Sequence, residues 1–239
     1  MSTTVAARWV VLDIEGTLTA TSQVHEVLYD YARPRLGPWI DAHPDDPAVA
    51  AAVADIIREA DLPADAGTEQ ITTVLHAWMD ADRKATALKT LQGQIWQDGY
   101  TRGALTTDYF PDVVPALRTW HDRGLQLAVF SSGSVTAQRA SFSHTTHGDL
   151  RELFDAHFDT ANAGPKREPD SYRAITAHLQ APPEQIVFCS DVPAELDAAA
   201  ATGWHTLGLA RPAEPFADAD FGDHPAVTSF DDVHLEATR

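Results

Sequence analysis

At 239 residues, with 44% hydrophobic positions, the chain is long enough for one large domain or for a domain carrying a sizeable insertion. Its formal net charge of −18 argues against a nucleic-acid or anionic-membrane surface, so an anionic substrate would have to be met by a local cation or a metal. No apolar run approaches the roughly 20 residues that span a bilayer, MSTTVAARWVV lacks the features of a secretory signal, and a single cysteine, Cys189, excludes an internal disulfide framework; the expectation is a cytoplasmic protein with neither membrane nor nucleic-acid partners.

The first element is Trp9–Leu12, a short apolar run that predicts a buried parallel strand. Its tip carries Asp13, Glu15, Gly16 and Thr17, and strand alternation lets Asp13 and Glu15 point the same way with Ile14 opposite. Two readings of the pair are open on these residues alone: a nucleophilic carboxylate beside a general acid, and a strand end with solvated acids in a turn. More than a hundred residues then separate Asp13 from Leu125, far more than a simple crossover needs. Helical spacing covers Val24–Ala32, Ala48–Ala60, Thr68–Asp82 and Arg83–Asp98, with Gly99 expected to close the last helix. An all-helical insertion placed after the first strand predicts a cap over the strand tips, hinged near Thr19–Gln23 and Tyr100–Thr107.

Pro111–Arg123 reads as a helix ended by Gly124, and Leu125–Phe130 as the second strand. Ser131-Ser132-Gly133-Ser134 follows and opens a helix at Val135–Phe142, a combination that serves an anion as readily as it serves a plain N-cap. Lys166 sits in a polar loop ahead of a helix at Pro169–Leu179. The strand Ile186–Cys189 presents Asp191, and a helix begins at Pro193 with Glu195 and Asp197 in its first turns. Acids there complement a helix dipole, which is the reading preferred for Asp197, while hard oxygens so near the opening carboxylates would complete a magnesium site. Cys189, inside an apolar run, reads as a buried inert thiol. With a last strand at His205–Leu209, strands alternating with helices predict an α/β fold around a parallel sheet.

Asp13 with Glu15, then Ser131, Lys166 and Asp191, each at or just past a predicted strand end, resemble the four motifs of the haloacid-dehalogenase superfamily of phosphohydrolases. DIEGT, SSGSVTAQ, HTTHGDL, HFDT, GPKRE, SDVPAELDAA, RPAEP and VTSFDD, with DRKATALKTLQGQIWQDGY in the insertion, are similar to the enolase-phosphatase (acireductone synthase) family of methionine salvage. Ser143, where a glycine is common, and Pro193 after Val192 are small departures. The resemblance implies a Rossmann-like core over 1–20 and 105–239 and a helical cap domain over 21–104. It implies Asp13 as nucleophile, Glu15 as general acid and base, and Ser131, Ser132 and Lys166 on the phosphate. One Mg²⁺ per subunit would be held by Asp13, Asp191 and the Glu15 backbone carbonyl. The implied substrate is a small phosphorylated dione, 2,3-diketo-5-methylthiopentyl 1-phosphate, and the implied protein is a monomer. Lys84, Lys89, His76 and Glu15 are the candidate bases for enolisation, and Lys89 and Gln92, one helical turn apart, the candidate cap contacts. The alternative is another capped phosphatase of the superfamily acting on a sugar phosphate without enolisation.

Overall fold

The structure, a computed structural model, describes residues 3–83 and 85–238. The chain forms two compact units: one holds the chain up to Gln23 and from Thr107 onward, the other holds Val24–Thr106. In chain order β1 (Thr3–Ala7) and β2 (Trp9–Leu12) come first. A π-helical stretch over Gln23–Leu28 runs into α1 (Tyr29–Ala32), followed by α2 (Leu36–Ala42), α3 (Pro47–Glu59), α4 (Thr68–Asp80) and α5 (Thr86–Thr101). Then come α6 (Val113–Asp122), β3 (Gln126–Phe130), α7 (Val135–Ser143), β4 (Ala156–Phe158) and α8 (Pro169–Leu179). The chain closes with β5 (Ile186–Ser190), α9 (Pro193–Ala200), β6 (His205–Leu209), β7 (Ala226–Val227) and β8 (Val233–Ala237).

Among the described residues, six parallel strands form one sheet in the order β4-β3-β2-β5-β6-β7, and β1 pairs with β8 in a separate parallel ladder. The chain leaves β2 toward β3 and β4 on one side and returns to β5, β6 and β7 on the other. The reversal beside β2 makes a crevice at the carboxyl ends of the strands. Both faces of the sheet are covered, which is why its central strands β2, β3 and β5 read as mainly apolar runs rather than alternating. Val10, Leu12, Val129, Val187 and Cys189 pack on one face with Val113, Leu117 and Trp120 of α6. Val11, Phe130 and Phe188 pack on the other with Tyr172 and Ile175 of α8 and Leu196 of α9. Cys189 is fully buried there, and burial pushes its thiol up to about 12, as expected of an inert core residue.

The second unit is helical with its own core. Asp46 accepts the backbone N–H groups of Ala48 and Val49 and so caps α3, which buries Val49, Ala52 and Ile56 along one stripe. Leu88, Leu91 and Ile95 of α5 join the same core. Gly99 does not close that helix: it lies inside α5, which runs on to Thr101. A Cβ at Gly99 would stand 2.7 Å from the Tyr31 ring, so the glycine permits close packing, and the turn residue is Gly103 at φ +70°. The helix also starts at Thr86 rather than Arg83, because the chain turns through Asp82 at φ +47°. Trp96 is partly buried and packs against this core, its indole N–H donating to the Leu28 carbonyl at 2.7 Å. No helix among the described residues is long and apolar enough to cross a membrane.

Candidate active site

The sheet register delivers the acidic tips together. Leu12 lies opposite Val129 on β3 and Cys189 on β5, so Asp13 emerges level with the end of both neighbours, and its N–H donates to the Cys189 carbonyl at 3.0 Å. Asp13 is only 5% exposed, while Glu15, two residues on, is half-buried. Between them the Ile14 carbonyl accepts from Thr17, Leu18 and Thr19, which folds the tip into a tight turn. Gly16 sits in that turn at φ +70°, and a Cβ there would lie 2.2 Å from Asp191 Oδ2. A glycine is required both for the backbone angle and for the approach of Asp191. The Asp191 N–H donates to Thr17 Oγ1 at 3.0 Å, tying the β5 tip to the β2 tip.

Lys166 reaches this pair from the loop before α8. Its backbone carbonyl accepts from Tyr172 Oη at 2.7 Å and that of Pro165 accepts from Ser171 Oγ at 2.7 Å, so the first turn of α8 holds the loop. The side chain is 6% exposed, with Nζ 2.6 Å from Asp13 Oδ1 and 2.5 Å from Glu195 Oε2. Glu195 also accepts from Ser190 Oγ at 3.0 Å. Burial alone would lower the lysine's pKa, but Asp13 and Glu195 together hold it above the ordinary range. Burial pushes the Asp13 carboxyl up against the pull of Lys166. Burial and the nearby Asp13 charge push Asp191 up to about 8.

Three buried carboxylates, Asp13, Asp191 and Glu195, thus face one ammonium group. Asp191 Oδ1 is buried with no hydrogen-bond partner among the described residues. A buried carboxylate oxygen without a donor is costly unless a cation meets it. No group of three or more His, Cys, Asp or Glu side chains forms a self-contained metal cage among the described residues. Two carboxylates and a backbone carbonyl, with the remaining positions left to water and phosphate, make the donor set that suits Mg²⁺.

Ser131 follows β3 directly and is buried; its N–H donates to the Phe158 carbonyl at 3.2 Å, and its Oγ accepts from Gly133 N–H at 3.3 Å. Ser132 is exposed, and Ser134 caps α7 by accepting from Ala137 N–H at 3.2 Å. The loop therefore presents two hydroxyls at the start of a helix, where the dipole favours anions. Lys89 and Gln92 lie on α5 in the helical unit; Gln92 is buried, and its Nε2 lacks a partner among the described residues. His76 is engaged within that unit by the Arg33 carbonyl at 3.0 Å, and Lys84 lies outside the described residues.

Two parts of the site, Glu195 and a buried Arg211–Asp112 pair, are not assigned by the sequence reading. Glu195 is neither a simple helix-dipole acid nor a solvated one, since its carboxylate pairs with Lys166; the available signal was its place in the first turn after the Asp191 tip. Asp197 is exposed, with His224 Nε2 at 3.1 Å. Arg211, 3% exposed, donates through Nε and Nη2 to the Thr17 carbonyl and through Nη1 to both oxygens of Asp112, which in turn accepts from Phe230 N–H at 2.6 Å. RPAEP and VTSFDD meet in this network beneath the Asp13 loop, a pairing of residues that sequence spacing does not reveal.

The family model of haloacid dehalogenase-like hydrolases matches residues 7–203. A protein of Saccharopolyspora erythraea named enolase-phosphatase E1 is 74% identical over 99% of both chains. A Streptomyces avermitilis protein of the same name is 50% identical over 95% of this chain and 94% of its own. Among solved structures, the UTR4 protein of Saccharomyces cerevisiae is 29% identical with a TM-score of 0.76, covering 94% of this chain and 98% of that one. CbbY from Rhodobacter sphaeroides, 20% identical with a TM-score of 0.58 over 94% of this chain and 95% of its own, shares the fold.

Proposed function

The chain belongs to the haloacid dehalogenase-like hydrolases and, within them, to the enolase-phosphatases, and from that premise we propose how its residues divide the work. The enzyme is a bifunctional enolase-phosphatase of methionine salvage. It enolises 2,3-diketo-5-methylthiopentyl 1-phosphate and then removes the phosphate to leave the acireductone.

In our reading Asp13 attacks phosphorus. The P–O bond to the substrate breaks as the Asp13–phosphorus bond forms, and Glu15 delivers its proton to the departing oxygen. Glu15, now a carboxylate, takes a proton from water as that water attacks the aspartyl phosphate, which releases phosphate and restores Asp13. Lys166 neutralises Asp13 and the phosphoryl oxygens, and Ser131 and Ser132 hold those oxygens through their hydroxyls. Asp13, Asp191 and the Glu15 backbone carbonyl would hold one Mg²⁺, which supplies charge neutralisation around the phosphoryl group and polarises a substrate oxygen. The observation that carries this assignment is Lys166 Nζ at 2.6 Å from the buried Asp13 carboxylate, beside Asp191 with an unpartnered oxygen.

For enolisation, Glu15, Lys84 and Lys89 are the proposed bases, His76 being engaged by a backbone carbonyl. We assign the helical unit the role of a cap, with Lys89 and Gln92 as substrate contacts. The chain leaves the core just after the Asp13 loop and returns before β3, which supports that role. We propose that the enzyme acts as a cytoplasmic monomer; the single buried cysteine suits that compartment. Anaerobic turnover of the dione phosphate, followed by ultraviolet absorbance of the enol and by released phosphate with and without Mg²⁺, tests the assignment. An enol signal followed by phosphate supports it. Hydrolysis of simple sugar phosphates with an inert dione favours the alternative phosphatase reading.

A further inference from the structure

The motifs SSGSVTAQ and HFDT contain two residues that the mechanism does not use, Gln138 and Asp159, and both are turned onto the Ser131–Ser134 loop. Gln138 is 2% exposed and sits one turn into α7. Its Nε2 donates to the Gly133 carbonyl at 2.9 Å and to the Phe158 carbonyl at 2.8 Å. Because the amide nitrogen serves both carbonyls, Oε1 is left as acceptor, and His157 Nδ1 at 3.1 Å is its donor. Phe158 at the end of β4 thus receives both Ser131 N–H and the Gln138 amide. Asp159, also buried, accepts from Val135 N–H at 2.9 Å through one oxygen, and from Ala161 and Asn162 N–H through the other.

The consequence follows from peptide geometry. In a trans peptide the C=O and the next N–H point in opposite directions. With the Gly133 carbonyl held toward Gln138, the Ser134 N–H is turned away from it. With Val135 N–H taken by Asp159, the first helical donor is committed to the protein. We infer that Gln138 is a positioning residue for phosphate: it fixes the 133–134 peptide so that Ser134 N–H and the hydroxyls of Ser131 and Ser132 converge on the phosphoryl oxygens, with Asp159 anchoring the helix start behind them. This rests on the reading of Ser131 and Ser132 as phosphate ligands.

The test compares Gln138→Glu, Gln138→Met and Ser131→Ala in the full-length enzyme, using inorganic phosphate as a competitive inhibitor alongside KM and Mg²⁺ titration. Gln138→Glu keeps the shape but replaces the donor with a charge facing two carbonyls. Both Gln138 variants are expected to raise the phosphate inhibition constant and KM together, by about tenfold, with half-saturating Mg²⁺ unchanged. Wild-type phosphate affinity in a folded Gln138 variant, with Ser131→Ala weakened, overturns the inference alone. Wild-type affinity in Ser131→Ala as well overturns the phosphate-loop reading beneath it. An equal shift in Mg²⁺ dependence marks general damage and also counts against the inference. Should the Gln138 variants not fold, His157→Leu removes the donor that orients the amide; an approximately threefold rise in the phosphate inhibition constant is expected, and no change overturns the inference.

Discussion

Lys166 Nζ lies 2.5 Å from Glu195 Oε2 while holding Asp13 from its other side, so the lysine is shared between the attacking carboxylate and a second buried acid. A lysine with three rotatable donors and a flexible stem needs such an anchor to stay aimed. Glu195→Gln keeps the shape and removes the charge that holds Lys166. Phosphate release is expected to fall on the order of tenfold to a hundredfold, with the fold intact by circular dichroism. Wild-type kcat in that variant would show that Asp13 alone places the lysine.

Gly16 and Asp191 are separated by less than a methyl group allows. Gly16→Ala puts a Cβ 2.2 Å from Asp191 Oδ2 in a backbone conformation that disfavours side chains. The β5 tip has to shift, and phosphatase activity is expected to fall by at least about a hundredfold. Measuring Mn²⁺ affinity by calorimetry separates the cause: metal binding weakened in a folded variant supports the proposed ligand role of Asp191, and unchanged metal binding argues against it.

Arg211 and Asp112 form a buried pair that also holds Thr17 and Phe230. Arg211→Met leaves Asp112 uncompensated in the interior, and urea unfolding is expected to show a loss of about 3–5 kcal/mol. Asp112→Asn added to Arg211→Met is expected to cost less than the sum of the two single changes by more than about 1 kcal/mol. Additive effects would mean that the pair contributes little beyond packing.

The helices and strands were readable where apolar spacing is local, as in Trp9–Leu12 or His205–Leu209. Asp13, Lys166 and Asp191 were readable because each follows its own strand or loop signal, and the structure draws the Asp13 and Asp191 tips and Lys166 together. Arg211 with Asp112 was not, because the two stand 99 residues apart and only the closed sheet brings them together. Gly99 was misread as a helix stop because sequence does not reveal that Tyr31 packs against its α-carbon. Gln138 belongs to the SSGSVTAQ motif, but its role is not legible there, because the Phe158 carbonyl it binds comes from β4, 20 residues away.

His157 gives the fold a pH dependence of predictable sign. Burial, and then the charge of Arg139, lower its pKa to about 4 from the usual 6.5. Between these values the unfolded chain binds a proton that the folded chain does not, so stability falls as pH drops from about 6.5 toward 4 and levels off below. Subtracting the stability of His157→Asn from that of the wild type at each pH isolates this contribution. The difference is expected to shrink from pH 7 to pH 5; a difference independent of pH would contradict the burial argument.

The most direct test of the account is the covalent fate of Asp13. Enzyme mixed with the dione phosphate and Mg²⁺ is acid-quenched within a single turnover, digested, and its peptides are weighed. One added phosphoryl group is expected on the peptide containing Asp13, absent in Asp13→Asn, a variant expected to fold yet release no phosphate. An unmodified Asp13 peptide at every quench time, or phosphate release at the wild-type rate by Asp13→Asn, would contradict it.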